Sequence, residues 1–430
     1  MLTTIQNALK TKEIRMKLLY VLIGLVIVRI GCNIPIPGTK PDVMQNLFSS
    51  NQSLGFLDVM TGGSFSRMSI FALNITPYIT ASIILQLLTI AIPRLEEMQK
   101  DGEDGRKKIN EYTRYLSIAL AVIEGAAIVI GFRNQGLFGT DNPQSSMTTA
   151  IVVAVAALTA GAAFMMWLGE QITEKGVGNG ISLIIFAGIV SRIPDMAKTL
   201  YASVESGALN WLMVAVILVF ALLIIAFVVM MNEAERRLPV QYAKRVVGRK
   251  MYGGQSTHIP IKVAGAGVIP IIFAMSIMAF PGTIASFFGK TAQSGGFWGA
   301  FLWVFSGQSW IYAVLYFLLI IFFTYFYTAI QFNPIEMSNN MKKNGGFIPG
   351  IRPGRPTSDY IARVLSRVTL AGAFFLAFIA VIPIFMNLGL HISNFSIGGT
   401  SLLIVVGVAL ETVQNMESQM LMRHYKGFLE

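Results

Sequence analysis

From Trp211 to Met231 the chain runs for 21 residues without a charged side chain. A helix of that length rises about 31 Å, roughly the thickness of a bilayer's hydrocarbon core. Nine further apolar runs follow the same logic: Leu18–Ile30, Ile75–Ile92, Leu116–Phe132, Met147–Leu168, Ile181–Ile193, Val263–Phe280, Trp310–Ile330, Val368–Phe385 and Ser401–Val413. The first, fifth and tenth runs in chain order fall short of the roughly 17 residues a span needs, so they must borrow flanking residues or sit inside a bundle. Charged residues make up 13% of the chain, against about 25% in a soluble domain. The expected architecture is an all-α polytopic membrane protein of ten transmembrane helices. Trp167, Trp211 and Trp310 stand at run ends, where interfacial anchors belong.

Ten spans put both termini on one side. That side carries 26 of the 33 Lys and Arg; the other holds seven, namely Arg29, Lys40, Arg67, Arg133, Arg192, Lys198 and Lys290. The positive-inside rule therefore expects cytoplasmic termini, and much of the +11 net charge serves orientation rather than nucleic-acid binding. The start, polar and basic to Lys17, does not read as a cleavable signal peptide. The single cysteine, Cys32, excludes an intrachain disulfide and a cysteine metal cluster. His258, His391 and His424 lack ligand spacing, so no metal or other cofactor is expected.

The stretch from Leu54 to Ile92 mixes two characters. Its second part can cross a bilayer. Its first part, Leu54–Ser66, holds Asp58, Gly55, Gly62, Gly63 and several hydroxyls, yet also Leu54, Phe56, Leu57, Val59, Met60 and Phe65. Broken backbone at membrane depth survives only where protein or water satisfies it. A re-entrant stopper lining a cavity, fused to a helix that walls it, fits this composition.

An internal repeat reinforces the picture. Gly180–Gly188 and Gly399–Gly407 agree at five of nine positions: Gly180/Gly399, Ser182/Ser401, Leu183/Leu402, Ile185/Ile404 and Gly188/Gly407. A weaker pattern is anchored on Pro77 and Pro270, with Ile79/Ile272, Ala81/Ala274 and Ile84/Ile277 in register. Both pairs lie five spans apart, and an odd offset inverts direction, so two inverted five-helix halves are expected, residues 1–205 and 206–430. Matched residues near the pseudo-two-fold axis meet at the centre. Ile79, Ile272, Ile185 and Ile404, with Ile75 and Ile181 one turn before two of them, would form an apolar collar that excludes ions by dewetting. Their branched side chains are stiff and would hold its shape.

Polar groups within the spans are few: Gln86, Glu124 and Ser276. Glu124 reads as part of a hydrogen-bonded seam, as a coupling-ion site, or as a group neutralised at an edge. Proton relay would need a chain of acids and bases that the spans lack. An ion-coupled transporter would need a polar midplane where this chain places isoleucine. No GxxxxGK[ST], HExxH or Ser/His constellation is present, so an enzyme is not expected and nucleotide energy must come from a partner.

Two loops on the terminal side exceed what connection requires. Residues 232–262 alternate around a Gly-Gly turn, expected as a β-hairpin with Arg245 and Arg249. Residues 331–360 are stiffened by proline and glycine and carry Arg352 and Arg355. Each reads as a topology signal or as a docking surface for something large.

Several stretches together resemble the SecY family of protein-conducting channels of the bacterial plasma membrane. They are Arg29–Gly38 (RIGCNIPIPG), Ser69–Leu88, Gly176–Val190, Tyr242–Val263, Gly267–Phe273, Gly345–Gly354 (GGFIPGIRPG) and Gly398–Val408. The resemblance covers nearly the whole chain. It implies an hourglass pore between two halves that open like a clamshell. It places a ring on Ile75, Ile79, Ile181, Ile185, Ile272 and Ile404. It places a plug on about Leu54–Ser66, including Leu54, Phe56, Leu57, Asp58, Val59, Met60, Thr61, Gly62 and Gly63. It implies a lateral gate between spans 2–3 and 7–8 with Thr80, Gln86, Glu124 and Ser276; relatives carry a glutamine at the place of Glu124. Arg245, Arg249, Arg352 and Arg355 would dock the ribosome or the ATPase SecA. SecE and SecG are the implied partner subunits, and signal sequences and secretory polypeptides the substrates.

Overall fold

The computed structural model describes residues 9–42, 44, 58, 61–133, 136–138, 147–207, 210–242, 245–247, 250–252, 256–287, 296–305, 309–390 and 399–426. In chain order it contains α1 (Lys12–Gly31), α2 (Thr76–Ala91), α3 (Pro93–Lys100), α4 (Glu103–Arg133), α5 (Met147–Lys175), α6 (Gly180–Val190), α7 (Ile193–Glu205) and α8 (Trp211–Glu233). Next come β1 (Glu235–Tyr242), β2 (Arg245–Val247), β3 (Lys250–Tyr252) and β4 (Ser256–Lys262). The chain ends with α9 (Ile269–Phe287), α10 (Phe297–Val304), α11 (Trp310–Gln331), α12 (Pro334–Lys343), β5 (Gly346–Phe347), α13 (Arg355–Leu390) and α14 (Gly399–Lys426).

A helix covers all or most of each of the ten apolar runs. Among the described residues, six helical stretches are long and apolar enough to cross a membrane on their own, and α2 with α3, bent by 102°, makes a seventh. The remaining three fall short of ten for local reasons. Charges crowd the start of α1 and Arg29 sits near its end, α9 is uncharged throughout but carries Pro281 inside it, and the second half of α14 is polar. The chain is a multi-pass membrane protein.

Helix starts follow side-chain chemistry. Asn179 accepts from the backbone N–H of Ile181 (3.0 Å) and Ser182 (3.4 Å) and so opens α6. Asn210, Ser309 and Asn333 cap α8, α11 and α12 in the same way. The repeat is visible in these starts. α2 and α9 each begin one residue before the paired prolines, and α6 and α14 each begin on the paired glycines. The seventh span differs from expectation: residues 263–268 form turns and the helix begins only at Ile269. Gly267 with φ of +61° holds that turn open before Pro270 can start a helix.

The loop expected as one hairpin is instead part of a three-stranded sheet ordered β4-β1-β5. β1 pairs antiparallel with β4 from Glu235↔Lys262 to Gln241↔Ser256, and the short β2–β3 hairpin projects beyond them. β5, from the second loop, pairs on the other edge of β1 through Gln241↔Phe347 and Tyr242↔Gly346. Leu238, Val240, Ile261, Met341, Ile348, Ile361 and Leu365 form one core beneath the sheet. The two loops are therefore one rigid body seated on the start of α13.

Candidate functional site: an apolar cluster and the turns that lead to it

The six isoleucines all belong to one large apolar cluster of the bundle. Ile75, Ile185, Ile272 and Ile404 are buried, at 1%, 3%, 7% and 0% exposure, and Ile79 and Ile181 pack half-buried against the same apolar cluster. They arrive from the N-cap and first turn of α2, from α6, from α9 and from α14. No local pairing could gather them; the helix bundle does.

The stretch from Thr61 to Ile75 leads into this cluster as a chain of turns. Its left-handed backbone falls on Gly62 and Gly63, and also on Met68 and Asn74 (φ of +47° and +50°). Non-glycine residues take that conformation only where surroundings impose it. Here Ile36 N–H donates to the Met68 carbonyl and Ile70 N–H to that of Ile34, both at 3.0 Å. A Cβ on Gly161 of α5 would stand 2.0 Å from the Ile70 carbonyl oxygen, so only glycine lets α5 come this close.

Of the residues assigned to the plug, Leu54, Phe56, Leu57, Val59 and Met60 lie outside the described residues. Asp58, Thr61, Gly62 and Gly63 are described, and all four are buried. Asp58 organises them. Its carbonyl accepts from Gly63 N–H (2.8 Å) and Thr61 Oγ1 (3.2 Å), and its Oδ1 accepts from Ser66 N–H (2.8 Å). Its Oδ2 is ion-paired with the Arg192 guanidinium, which lies just past the end of α6. Arg29, at the end of α1, donates from Nη1 to the Gly62 carbonyl at 3.1 Å. Arg67 donates to Asn33 Oδ1. Nothing local in the sequence singles out Arg29 and Arg192 for this role; their one signal is that both are among the seven cations expected opposite the termini.

The expected gate residues line up on facing helices, since α9 packs against α2, α4 and α11. A seam of hydrogen bonds across that face is not what they make. Thr80 Oγ1 donates to the Thr76 carbonyl (3.1 Å) and Ser276 Oγ to that of Ile272 (2.9 Å), each within its own helix. Gln86 Nε2 reaches Ser82 Oγ at 3.4 Å, again in α2, and its buried Oε1 has no partner among the described residues. In apolar surroundings a helical hydroxyl finds its nearest acceptor one turn back. Glu124 is half-buried in α4. Among the described residues, Thr80, Gln86 and Ser276 thus bond within their own helices rather than across the face of α9 on α2 and α4.

Arg352 and Arg355 are exposed at the tip preceding α13 and at its first residue. The tip is stiff: Thr357 Oγ1 donates to the Arg352 carbonyl (2.8 Å) and Ser338 Oγ to that of Gly354 (2.9 Å). Arg245 begins β2, and Arg249 lies outside the described residues.

A SecY family model matches residues 69–413. The chain belongs to the SecY family. A protein translocase subunit SecY from Streptomyces galbus is 47% identical over 446 residues, covering 100% of both chains. A solved SecY channel, described as having a plug domain that stabilises its closed state, superposes with a TM-score of 0.66 at 19% identity, covering 94% of this chain and 92% of that one. Sec61 from a canine ribosome–channel complex gives a TM-score of 0.61 at 18% identity, with the same coverage. These structures fix the fold. Family membership carries the role of channel subunit in a protein translocase.

Proposed function

We propose that this SecY-family channel passes unfolded secretory polypeptides across the bacterial plasma membrane and releases hydrophobic segments sideways into lipid. The observation that carries the reading is the gathering of six isoleucines from four separate elements into one apolar cluster, with a glycine-hinged segment leading into it. Such a collar offers no hydrogen bond to hold a passing peptide and dewets when empty. Residues 54–66 act as the plug. Residues 1–205 and 206–430 act as the two halves. Their inversion is supported by the matched helix starts.

The lateral gate is the face of α2 and α4 against α9 and α11. Because Thr80, Gln86 and Ser276 bond within their own helices, a signal sequence of about 20 apolar residues can part this face without breaking those bonds, and gains more in lipid than in the pore. Both termini face the cytoplasm, with SecE and SecG as partner subunits. The sheet-borne platform with Arg245, Arg249, Arg352 and Arg355 docks SecA or the ribosome; the latter is supported by the ribosome-bound Sec61 likeness. Cysteines placed across α2 and α9 provide the test, with Cys32 as the sole native thiol. Oxidation is expected to block export and reduction to restore it. Export continuing at the normal rate through a cross-linked gate would refute the lateral opening.

A further inference from the structure

The cations on the disfavoured side of the membrane have a use at this site. Of the seven, Arg29 and Arg192 reach directly into the plug, and Arg67 ties its root to Asn33. The Asp58 side chain is 5% exposed and that of Arg192 is 23% exposed, so water does not screen this pair as it would a surface one. Asp58 is also the hub of its own turn, accepting from the backbone of Ser66 with the other oxygen. Arg192 is the first residue beyond the α6 cap Ser191, and α6 carries Ile181 and Ile185 of the collar. On the same helix Gly188 lies against Gly62, where a Cβ would come within 3.0 Å of the Gly188 Cα and 2.7 Å of Arg29 Nη1. One carboxylate thus joins the plug's fold to the end of a collar helix.

The geometry points to Asp58 and Arg192 as an electrostatic latch that holds the plug seated and releases it when the end of α6 moves. Arg29, donating to the Gly62 carbonyl, is a second and weaker tie. The latch rests on the plug reading above and deepens it. Parting the pair breaks the charged interaction, while Arg192 retains a partner in the exposed Asp195, 3.5 Å away. The released guanidinium is therefore not stranded, which keeps the open state accessible. Displacing α6 as a body, as a chain entering the waist must, and unlatching the plug at its far end become one event.

The test uses the complete translocase complex reconstituted in planar bilayers, with Asp58→Asn, Arg192→Gln, the double variant, Asp195→Asn and deletion of residues 54–66. Loss of a charge-assisted hydrogen bond is worth about tenfold to a hundredfold in the seated–displaced equilibrium. Asp58→Asn and Arg192→Gln are each expected to raise ion leak by about that factor. The double variant should leak no more than the worse single variant, because both remove one shared interaction. Asp195→Asn should stay sealed. Export of a normal precursor by each variant shows that it has folded and assembled. If the deletion leaks and the single variants seal, the latch is refuted and the plug stands. If the deletion itself seals, the plug reading falls. Fully additive leak from the two substitutions would also overturn the latch, since the residues would then act independently.

Discussion

Gly62→Ala isolates the fit of the plug from its charge. Gly62 holds φ at +67°, which costs an L-residue about 1–2 kcal/mol. The added methyl would also meet the Gly188 Cα at 3.0 Å and its carbonyl oxygen at 3.1 Å. Backbone of α6 cannot swing aside as a flexible side chain can, and overpacking of this kind costs about 1–3 kcal/mol. Both penalties apply to the seated plug, so the seated state should weaken by about 2–5 kcal/mol, or roughly thirtyfold to a few thousandfold in its equilibrium. The assay is single-channel recording of the reconstituted complex without precursor, read as the fraction of time conducting. Gly102→Ala is the matched control: its φ is +79° but nothing lies within 4 Å of the added carbon, so it carries the backbone cost alone and in a different turn. The control should seal. Gly62→Ala sealing as tightly as the parent, in protein that still exports, would refute the claim that close approach to α6 seats the plug.

Other perturbations separate the remaining parts. Ile404→Asn or Ile185→Asn, each placing a polar group at a buried collar position, should raise ion conductance through the unplugged channel at least tenfold, while Ile404→Val should not; conductance in the 54–66 deletion background reads this directly. Arg352→Glu should weaken ribosome binding and make the slope of log affinity against log salt shallower by about 1 for each phosphate no longer gripped, as titration at several salt concentrations would show. Leu238→Ala, at a side chain 1% exposed beneath the sheet, should cost about 2–5 kcal/mol of platform stability and loosen docking without touching the partner, visible as faster proteolysis of both loops together. Cys32 is buried, and burial pushes its thiol pKa up despite the nearby Arg29. Only the thiolate alkylates, so maleimide labelling should be slower than for a free cysteine and should accelerate as pH rises toward that raised value; in the Asp58→Asn variant it should be faster at every pH.

Much of this architecture is legible in the sequence because membrane spans are written locally. Each apolar run is helical over most of its length, and the repeated glycines and prolines mark helix starts to within one residue. The matched isoleucines fall in one apolar cluster, as the repeat leads one to expect. What escapes are contacts that no period encodes. The Asp58 carboxylate is visibly out of place in a greasy segment, but its partner Arg192 stands 134 positions away. The polar groups at the gate read as bridges, yet a hydroxyl in a helix has an acceptor one turn back and needs no bridge. The loops at 232–262 and 331–360 read as separate because two apolar runs lie between them, and nothing in either announces that Gly346 and Phe347 will join the edge of β1.

That shared sheet has a mechanical consequence. Both loops belong to the second half of the chain, and α8, α9, α11 and α13 run into or out of the same platform. Anything that grips one loop tugs the other with it. A motor or a ribosome seated there holds a handle on half the molecule, and a push against that handle is delivered as torque to the helices on one flank of the waist.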